Sequence, residues 1–274
     1  KSWGKGGGFF LRRTRLIFSG QISKRLYIYL QPDFASSPSN DKLHFAQLRD
    51  AYFDVGIDAD NEFRFRIGQS KVPFGFENMQ SSQNRLPLDR HDALNSAVAN
   101  ERDIGVFFYW APKAKRTLFS ELVSSGLKGS GDYGVLGLGA YNGQTANSPE
   151  LNDQPHIVGR LTYPFKVKSQ ILEAGIQAYS GKYKLSTANL SNGVKYREDL
   201  DYLDQRVAAS FVLYPKPFGI QAEYNIGRGP EFNKATDSIE VRPLNGGYVT
   251  LSCMTKIKNH ILIPFSRIHT YEGG

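Results

Sequence analysis

Hydrophobic and polar residues alternate along several segments of the chain, which is the pattern of β-strands with two different faces. Successive side chains of an extended chain point in opposite directions. In EFRFRIG, which begins at Glu62, Phe63 and Phe65 therefore share one face, and Arg64 and Arg66 share the other. The same alternation recurs in residues 26–34, 171–181, 206–214, 220–228 and 248–256.

About twelve strands are predicted, at residues 10–19, 26–34, 44–56, 62–72, 103–112, 133–143, 155–164, 170–182, 200–214, 219–228, 246–257 and 260–271. Their connectors largely alternate between short and long, and the long ones include residues 73–102 and 229–245. The connector at residues 113–132 is long at a position where the alternation calls for a short turn. Residues 117–129 within it are the one helical candidate. Short turns at one end and long loops at the other are typical of outer-membrane barrels. The sequence therefore predicts an all-β fold, an antiparallel transmembrane β-barrel.

Composition limits the partners of such a barrel. The 274 residues include 34 basic and 26 acidic side chains, a net charge of +8, and the basic residues are dispersed along the strands. A dispersed surplus favours small anions as partners over nucleic acid, which binds to a localised basic stripe. The single cysteine, Cys253, excludes an internal disulfide and disfavours a thiolate metal site. The chain begins KSWGKGGG, without a signal-peptide pattern, so we expect that any targeting segment has been removed or is omitted from this sequence.

Enzyme signatures are missing from the sequence. GLGAYNG is not a nucleotide-binding GxGxxG, and no GxSxG, HExxH or CxxC occurs. The segment DRHD contains Asp89, Arg90 and His91, but one histidine beside a cation makes a poor metal or acid/base site, so a local salt-bridge turn is the favoured interpretation. We expect no catalytic activity, no metal and no cofactor.

The densest cationic set lies at strand positions. It comprises Arg12, Arg13, Arg15, Arg64, Arg66 and Lys71, with Arg160 more isolated. Guanidinium groups stay charged at any working pH and match phosphate or carboxylate. Two interpretations are open: the set attracts anions into the barrel, or its members pair with acidic residues across the interior. The acids available for pairing are Asp50, Asp54, Glu62, Glu173 and Glu223.

The long connector at residues 73–102 carries a second group of candidate residues. A structureless loop of this length is uncommon in a compact domain and is usually functional. Folded into the barrel, it narrows the passage and places Arg85, Asp89, Arg90 and His91 inside. The alternative is an ordinary exposed extracellular loop.

Several blocks resemble the phosphate-selective porin O and P family. They are FFLRRTRLIFSGQISKRLYIYLQPDF, LRDAYFDVGI, FRFRIGQSKVPFGFENMQSS and ERDIGVFF, in the family's order and spacing. Arg12 and Arg13 match the family's Arg-Arg block, Asp50 matches the acid of its D-A-Y block, and Lys71 matches the basic position before P-F-G. Arg160 alone stands near the place of the arginine-rich strand of the phosphate-specific members.

The resemblance implies a homotrimeric barrel of sixteen strands in the lipid of the bacterial outer membrane, with a long loop folded into the pore. It implies a passive, anion-preferring diffusion channel, with phosphate as one candidate solute. Since about twelve strands are found, we expect the single domain at residues 1–274 to lack strands at both ends, or another chain to close the barrel. The alternatives are a structural sleeve or docking component of an envelope assembly, and a soluble carbohydrate-binding module.

Overall fold

The computed structural model describes residues 11–35, 45–96 and 101–273. Twelve strands form one antiparallel sheet in which each strand pairs with its neighbours along the chain. They are β1 (Phe18–Ser23), β2 (Leu26–Asp33), β3 (Gln47–Gly56), β4 (Phe63–Lys71), β5 (Arg102–Trp110), β6 (Leu136–Tyr141), β7 (His156–Val167), β8 (Gln170–Lys184), β9 (Asp201–Leu213), β10 (Phe218–Asn233), β11 (Ser238–Cys253) and β14 (Phe265–Glu272). A separate hairpin of β12 (Thr255–Ile257) and β13 (His260–Leu262) connects β11 to β14. Within the described residues, β1 and β14 lie at opposite ends of the sheet and do not pair.

The two faces of the sheet differ as the alternation predicts. On β4, Phe63 and Phe65 are 42% and 38% exposed, whereas Arg64 and Arg66 are 3% and 6% exposed. Other exposed apolar side chains of the strands are Ile28, Leu30, Phe53, Val106, Leu138, Leu161, Ile176, Val207, Phe211, Ile226, Val249 and Ile268. Buried polar side chains of the strands include Asp50, Arg160, Glu173, Gln177, Asp204, Arg206, Glu223 and Asn225. An apolar outer face around a polar interior is the arrangement of a barrel surrounded by lipid, and it confirms the predicted fold class.

The first strand begins later than the sequence predicts. The prediction put the three arginines near the start of the chain on a strand at residues 10–19, of which residue 10 lies outside the described residues, whereas β1 begins at Phe18. Leu16 donates its backbone N–H to the Pro32 carbonyl at 3.2 Å, but Pro32 has no N–H with which to return the bond. The ladder between the two strands is therefore interrupted at this position.

The connector predicted at residues 229–245 is also different, because it is mostly strand. β10 and β11 continue to pair as far as Asn233 and Ser238 and leave only residues 234–237 as a turn. The remaining connectors largely keep the alternation of short and long, and the β5–β6 connector is a long exception at the end where the turns are short. Residues 24–25, 57–62, 168–169 and 214–217 are among the connectors at one end of the barrel, which we call the short-turn end.

A helix, α3 (Lys113–Ser124), occupies the β5–β6 connector at the short-turn end and confirms the helical candidate. It begins earlier than predicted, directly after Pro112, whose fixed φ suits a helix start. The backbone N–H of Lys113 is satisfied by Glu62 Oε1 at 2.6 Å. No helix among the described residues is long and apolar enough to span a membrane.

The long β4–β5 connector and α3 together fill part of the interior. The connector contains two short helices, α1 (Phe76–Met79) and α2 (Asp92–Asn95), and its residues 97–100 lie outside the described residues. One buried apolar cluster joins Phe76 of the connector and the apolar face of α3 to the inner faces of β8 and β9; its members are Phe76, Leu118, Leu122, Leu127, Ile171, Val212 and Tyr214. A second cluster packs Phe74 and Leu94 against inner residues of β5 to β9. The apolar core therefore lies inside the barrel, on the side of β5 to β10.

Candidate functional site

The other side of the interior holds a cavity of about 670 Å³ along the inner faces of β1 to β4. Its remaining walls are the β4–β5 connector, α3 and the segment that follows α3. Of the residues that the structure describes, seven cationic side chains border the cavity: Arg15, Arg25, Arg64, Arg66, Lys71, Arg102 and Arg116. Four carboxylates of the same described part border it: Asp50, Asp54, Glu101 and Asp132. The wall of the cavity therefore carries three positive charges more than negative ones.

The β4–β5 connector enters the interior through a turn that requires glycine. Gly75 has a φ of +80°. A Cβ at this position would lie 2.6 Å from Leu94 Cδ1 and 2.7 Å from Glu223 Oε1, closer than real Cβ atoms approach any atom. Gly75 thus permits the chain to pass between α2 and the inner face of β10, and the V-P-F-G segment directs the connector inward.

A buried ion pair anchors the connector to the far wall of the barrel. Glu77 accepts hydrogen bonds from Arg267 of β14 at 2.7 and 3.1 Å. It also accepts bonds from the backbone N–H and the Nδ1 of His91, both at 3.0 Å. Burial by itself raises the pKa of the Glu77 carboxyl, but the bonds from His91 and Arg267 lower that pKa to about 2. Glu77 is therefore ionised at working pH and holds the connector to β14.

Lys71 anchors the connector on the side of the cavity. Its Nζ donates to the carbonyl oxygens of Met79 at 3.0 Å and of Gln80 at 2.6 Å. Gln80 in turn donates from Nε2 to the carbonyl of Lys128, in the segment after α3. Lys71 thus borders the cavity, and two of its hydrogen bonds fix the position of the connector.

Four cations converge on Glu101 at the edge of the cavity. Arg102 Nη1 lies 2.9 Å from Glu101, and Arg90 Nη2, Arg85 Nη1 and Lys71 Nζ lie 3.4, 3.7 and 4.0 Å away. Burial raises the pKa of this carboxyl, but the surrounding cations lower it well below its usual range. Glu101 also has a φ of 71°, a strained backbone conformation that persists where the surroundings enforce it. One carboxylate cannot neutralise four cations; Lys71 and Arg102 of this cluster border the cavity, whereas Arg85 and Arg90 do not.

Arginines on β4 make ion pairs deeper in the cavity. Arg66 binds Asp54 through two hydrogen bonds of 2.8 and 2.9 Å, and its guanidinium lies 4.0 Å from the centre of the Tyr52 ring. Arg64 binds Asp132 at 2.8 Å, and its Nη1 has no hydrogen-bond partner among the described residues. The predicted pairing of arginines with Asp54 is therefore present, together with the surplus of positive charge.

The arginines near the start of the chain lie at the side of the connector. Arg12 pairs with Asp89, and Arg15 pairs with Asp33 at 2.7 Å. Arg13 is half-buried between them. Of these three arginines only Arg15 borders the cavity.

The predicted site residues are thus divided among several places. Asp50, Arg64, Arg66, Lys71 and Arg15 border one cavity, and Arg85 and Arg90 reach it through Glu101. Arg160 lies in the other half of the interior, 3.6 Å from Glu173, and does not border the cavity.

The DRHD segment does not form the local salt-bridge turn that the sequence favours. Asp89 binds Arg12, Arg90 binds Asn78 and Glu101, and His91 binds Glu77. Each of these side chains therefore binds a partner outside the tetrapeptide. Among the described residues, no group of three histidine, cysteine, aspartate or glutamate side chains is placed to hold a metal ion.

Five charged residues of the site are missing from the predicted set: Arg25, Glu101, Arg102, Arg116 and Asp132. Arg102 binds Asp50 through two bonds of 2.9 Å, so it completes the interaction expected of that acid. The alternation of β5, in which Ile104 and Val106 are both exposed, would put Arg102 on the outer face, so no periodic signal marks it as an interior residue. On β4, Gly68 has a φ of +121°, which interrupts the alternation.

Comparisons with known proteins bear on this site. No curated protein matches the chain. Among solved structures, the chain is similar to in-vitro folded OmpT, an outer membrane protein of Vibrio cholerae in its trimer form, at 12% identity and a TM-score of 0.32 over 95% of this chain and 80% of that chain. The family model described as phosphate-selective porin O and P matches residues 2–253. This match spans nearly the whole chain, and the chain belongs to the phosphate-selective porin O and P family as a passive channel of the bacterial outer membrane.

Proposed function

We propose that this porin passes small anions through the cavity along β1 to β4. The observation that carries the proposal is the cationic surplus of that cavity, seven basic side chains against four carboxylates. Charge of one sign on the wall of a narrow passage raises the local concentration of ions of the opposite sign. Most of these cations are arginines, whose charge does not change with pH in the working range.

The β4–β5 connector is the constriction of this passage in our proposal. Residues 79 and 81–84 of the connector border the cavity opposite β1 to β3. Lys71 and Glu77 fix the connector at two points, by hydrogen bonds to carbonyl groups and by the buried pair with Arg267. A loop fixed in this way sets a constant pore width.

The pairing of the arginines indicates how anions are selected. Arg66 and Arg64 are each bound to a carboxylate, so neither presents a whole guanidinium to a passing ion. Anions are instead attracted by the summed electrostatic field of the wall charges. Each anion is then bound only weakly, and weak binding allows rapid passage. We therefore propose a general preference for anions, with no chemical step on the solute.

Competition between anions tests this proposal. In planar bilayers, we expect the chloride current through the purified protein to fall when phosphate is added, because both anions use the same cationic passage. The current should recover when phosphate is removed. A current that is carried by cations, and that phosphate leaves unchanged, would contradict the proposal.

We also propose that the barrel works as a homotrimer in outer-membrane lipid. The outward face of β8 and β9 supports close approach of another barrel, because Ala174, Ala178 and Ala209 alternate there with larger apolar side chains. Light scattering of the detergent-solubilised protein, corrected for bound detergent, should give three times the mass of one chain. A monomer that conducts anions would overturn the trimer and leave the channel proposal intact.

Acidification is expected to loosen the constriction. The pKa of Glu77 is lowered from 4.5 to about 2, so the ionised carboxylate stabilises the closed connector fully above pH 4.5 and this stabilisation is lost as the pH falls through about 2. Single-channel conductance should therefore be constant above pH 4.5 and rise as the pH approaches 2. Recordings at a series of pH values check this, and a conductance that changes only between pH 5 and 8 would contradict it.

A further inference from the structure

The helix α3 lies across part of the short-turn mouth of the barrel. At its N-terminal side, Arg116 donates from Nη1 to the carbonyls of Asn61 at 2.7 Å and Asp60 at 3.0 Å, in the β3–β4 turn. At its C-terminal side, Glu121 pairs with Lys166 beside the β7–β8 turn at 3.1 Å. The hydrogen bonds of Arg116 fix the helix at one side of the mouth, and the exposed pair of Glu121 and Lys166 lies at the other.

The faces of α3 have different surroundings. Leu118 and Leu122 pack into the apolar cluster that contains Phe76 of the β4–β5 connector. Arg116, Ser120 and Val123 border the cavity, at the spacing that places side chains on one face of a helix. The helix therefore closes one side of the mouth with its apolar face and forms the wall of the remaining opening with its polar face.

The polar face of α3 is continuous with the charges deeper in the cavity. Arg116 Nε donates to Asp132 Oδ2 at 2.8 Å, and Asp132 Oδ1 lies 2.8 Å from Arg64 Nη2. Burial raises the pKa of Asp132, but Arg64 and Arg116 lower it below its ordinary value, so the carboxylate stays ionised between two guanidinium groups. This triad keeps one net positive charge between the mouth and β4.

We propose that α3 is a second constriction of the channel, in series with the β4–β5 connector, and that Arg116 helps to select anions at the short-turn mouth. The inference rests on the proposed anion passage and adds the residues that control its second end. The two constrictions brace each other through Phe76 and through the hydrogen bond from Gln80 to the Lys128 carbonyl.

Cysteine modification tests the proposal on channels that are already folded and conducting. The Ser120→Cys variant is made in a Cys253→Ser background, and its channel current is recorded before and after treatment with a methanethiosulfonate reagent. The reagent forms a disulfide with the new thiol and releases methanesulfinate. We expect a bulky reagent to lower the conductance about twofold or more, because Ser120 borders the opening. A negatively charged reagent should also reduce anion selectivity, and a positively charged one should increase it.

Thr117→Cys is the matched control, because Thr117 is exposed on the same helix and does not border the cavity. Modification there should leave both conductance and selectivity unchanged. Equal responses at the two positions, or no response at Ser120→Cys once mass spectrometry shows it modified, would overturn the role of α3. If the unmodified protein is cation-selective or silent, the proposed function itself fails, so the two failures are distinguishable.

Arg116→Gln provides a second test of the mouth. We expect the variant to remain an open channel with a lower preference for anions, since it removes one positive charge from the opening. A preference equal to that of the parent protein would limit α3 to a structural role.

Discussion

Glu77→Gln is expected to release the β4–β5 connector and to raise the single-channel conductance severalfold. The substitution removes the negative charge that Arg267 and His91 share inside the barrel. Removing one partner of a buried ion pair typically costs about 3–5 kcal/mol, because the other charge is left buried without compensation. The loss of the pair destabilises the connector in its position inside the barrel. The connector should therefore leave the passage, and the pore should widen.

Asp89→Asn is the matched control in the same connector. Asp89 also pairs with an arginine, Arg12, but the two side chains are 44% and 28% exposed. An exposed pair of this kind contributes about 0–1 kcal/mol. Single-channel conductance of the two variants in the same lipid compares them directly, and a wider pore in Asp89→Asn than in Glu77→Gln would contradict the assignment of the anchor.

Arg66→Gln and Asp54→Asn are expected to move ion selectivity in opposite directions. The two side chains form one bidentate pair on the wall of the cavity, so either substitution breaks the same contact. Arg66→Gln lowers the positive surplus by one charge, whereas Asp54→Asn raises it by one. An effect that came from lost contacts alone would have the same sign in both variants.

The size of the change follows from Coulomb's law. A unit charge about 4 Å from a passing ion changes its energy by about 1 kcal/mol in water, which is about a fivefold change in local concentration. The ratio of anion to cation permeability should therefore fall at least about fivefold in Arg66→Gln and rise by a similar factor in Asp54→Asn. Permeability ratios from reversal potentials measure both.

The pair of Arg160 and Glu173 supplies the control for these variants. It is also a buried ion pair of the barrel interior, but it does not border the cavity. Glu173→Gln should leave ion selectivity at the value of the parent protein. A shift as large as that of Asp54→Asn would show that anions pass on the side of β5 to β10.

The inner and outer faces of β4 follow directly from sequence up to Gly68. Phe63, Phe65, Arg64 and Arg66 lie as the alternation predicts, because neighbouring strands impose a strict period of two on a paired strand. Beyond Gly68 the period is interrupted. Lys71 therefore shares a face with Arg66 although the two are an odd number of residues apart.

The interior partners could not be predicted in the same way. Asp132 and Glu101 lie in connectors, where no periodicity relates a residue to a face, and their contacts with Arg64 and Arg102 depend on how the chain folds back. The helical pattern of α3 was visible in the sequence, but its apolar face is too short to show whether it meets lipid, solvent or the barrel interior. The late start of β1 could have been predicted from Pro32 of β2. Proline has no N–H, so it cannot donate a hydrogen bond to the strand that pairs with it.

The arginines of the interior show both of the features that the two interpretations describe, pairing with acids and a surplus of positive charge. Pairing occurs, with Arg66 on Asp54 and Arg102 on Asp50, and a positive surplus remains after the pairing. On the wall of the cavity, Lys71, Arg102 and Arg66 are balanced by Glu101, Asp50 and Asp54. The surplus therefore consists of Arg15, Arg25 and one net charge of the triad of Arg64, Asp132 and Arg116. Counting charges along the sequence gives the correct sign, and only the fold shows where the surplus lies.

The reversal potential of the unmodified protein shows whether the cationic wall of the cavity selects anions. Under a KCl gradient across a planar bilayer, a passage with a net positive wall is predicted to give a reversal potential of the sign that chloride sets. The potential should shrink as the salt concentration on both sides is raised, because salt screens the wall charge. A reversal potential of the sign that potassium sets would contradict the account.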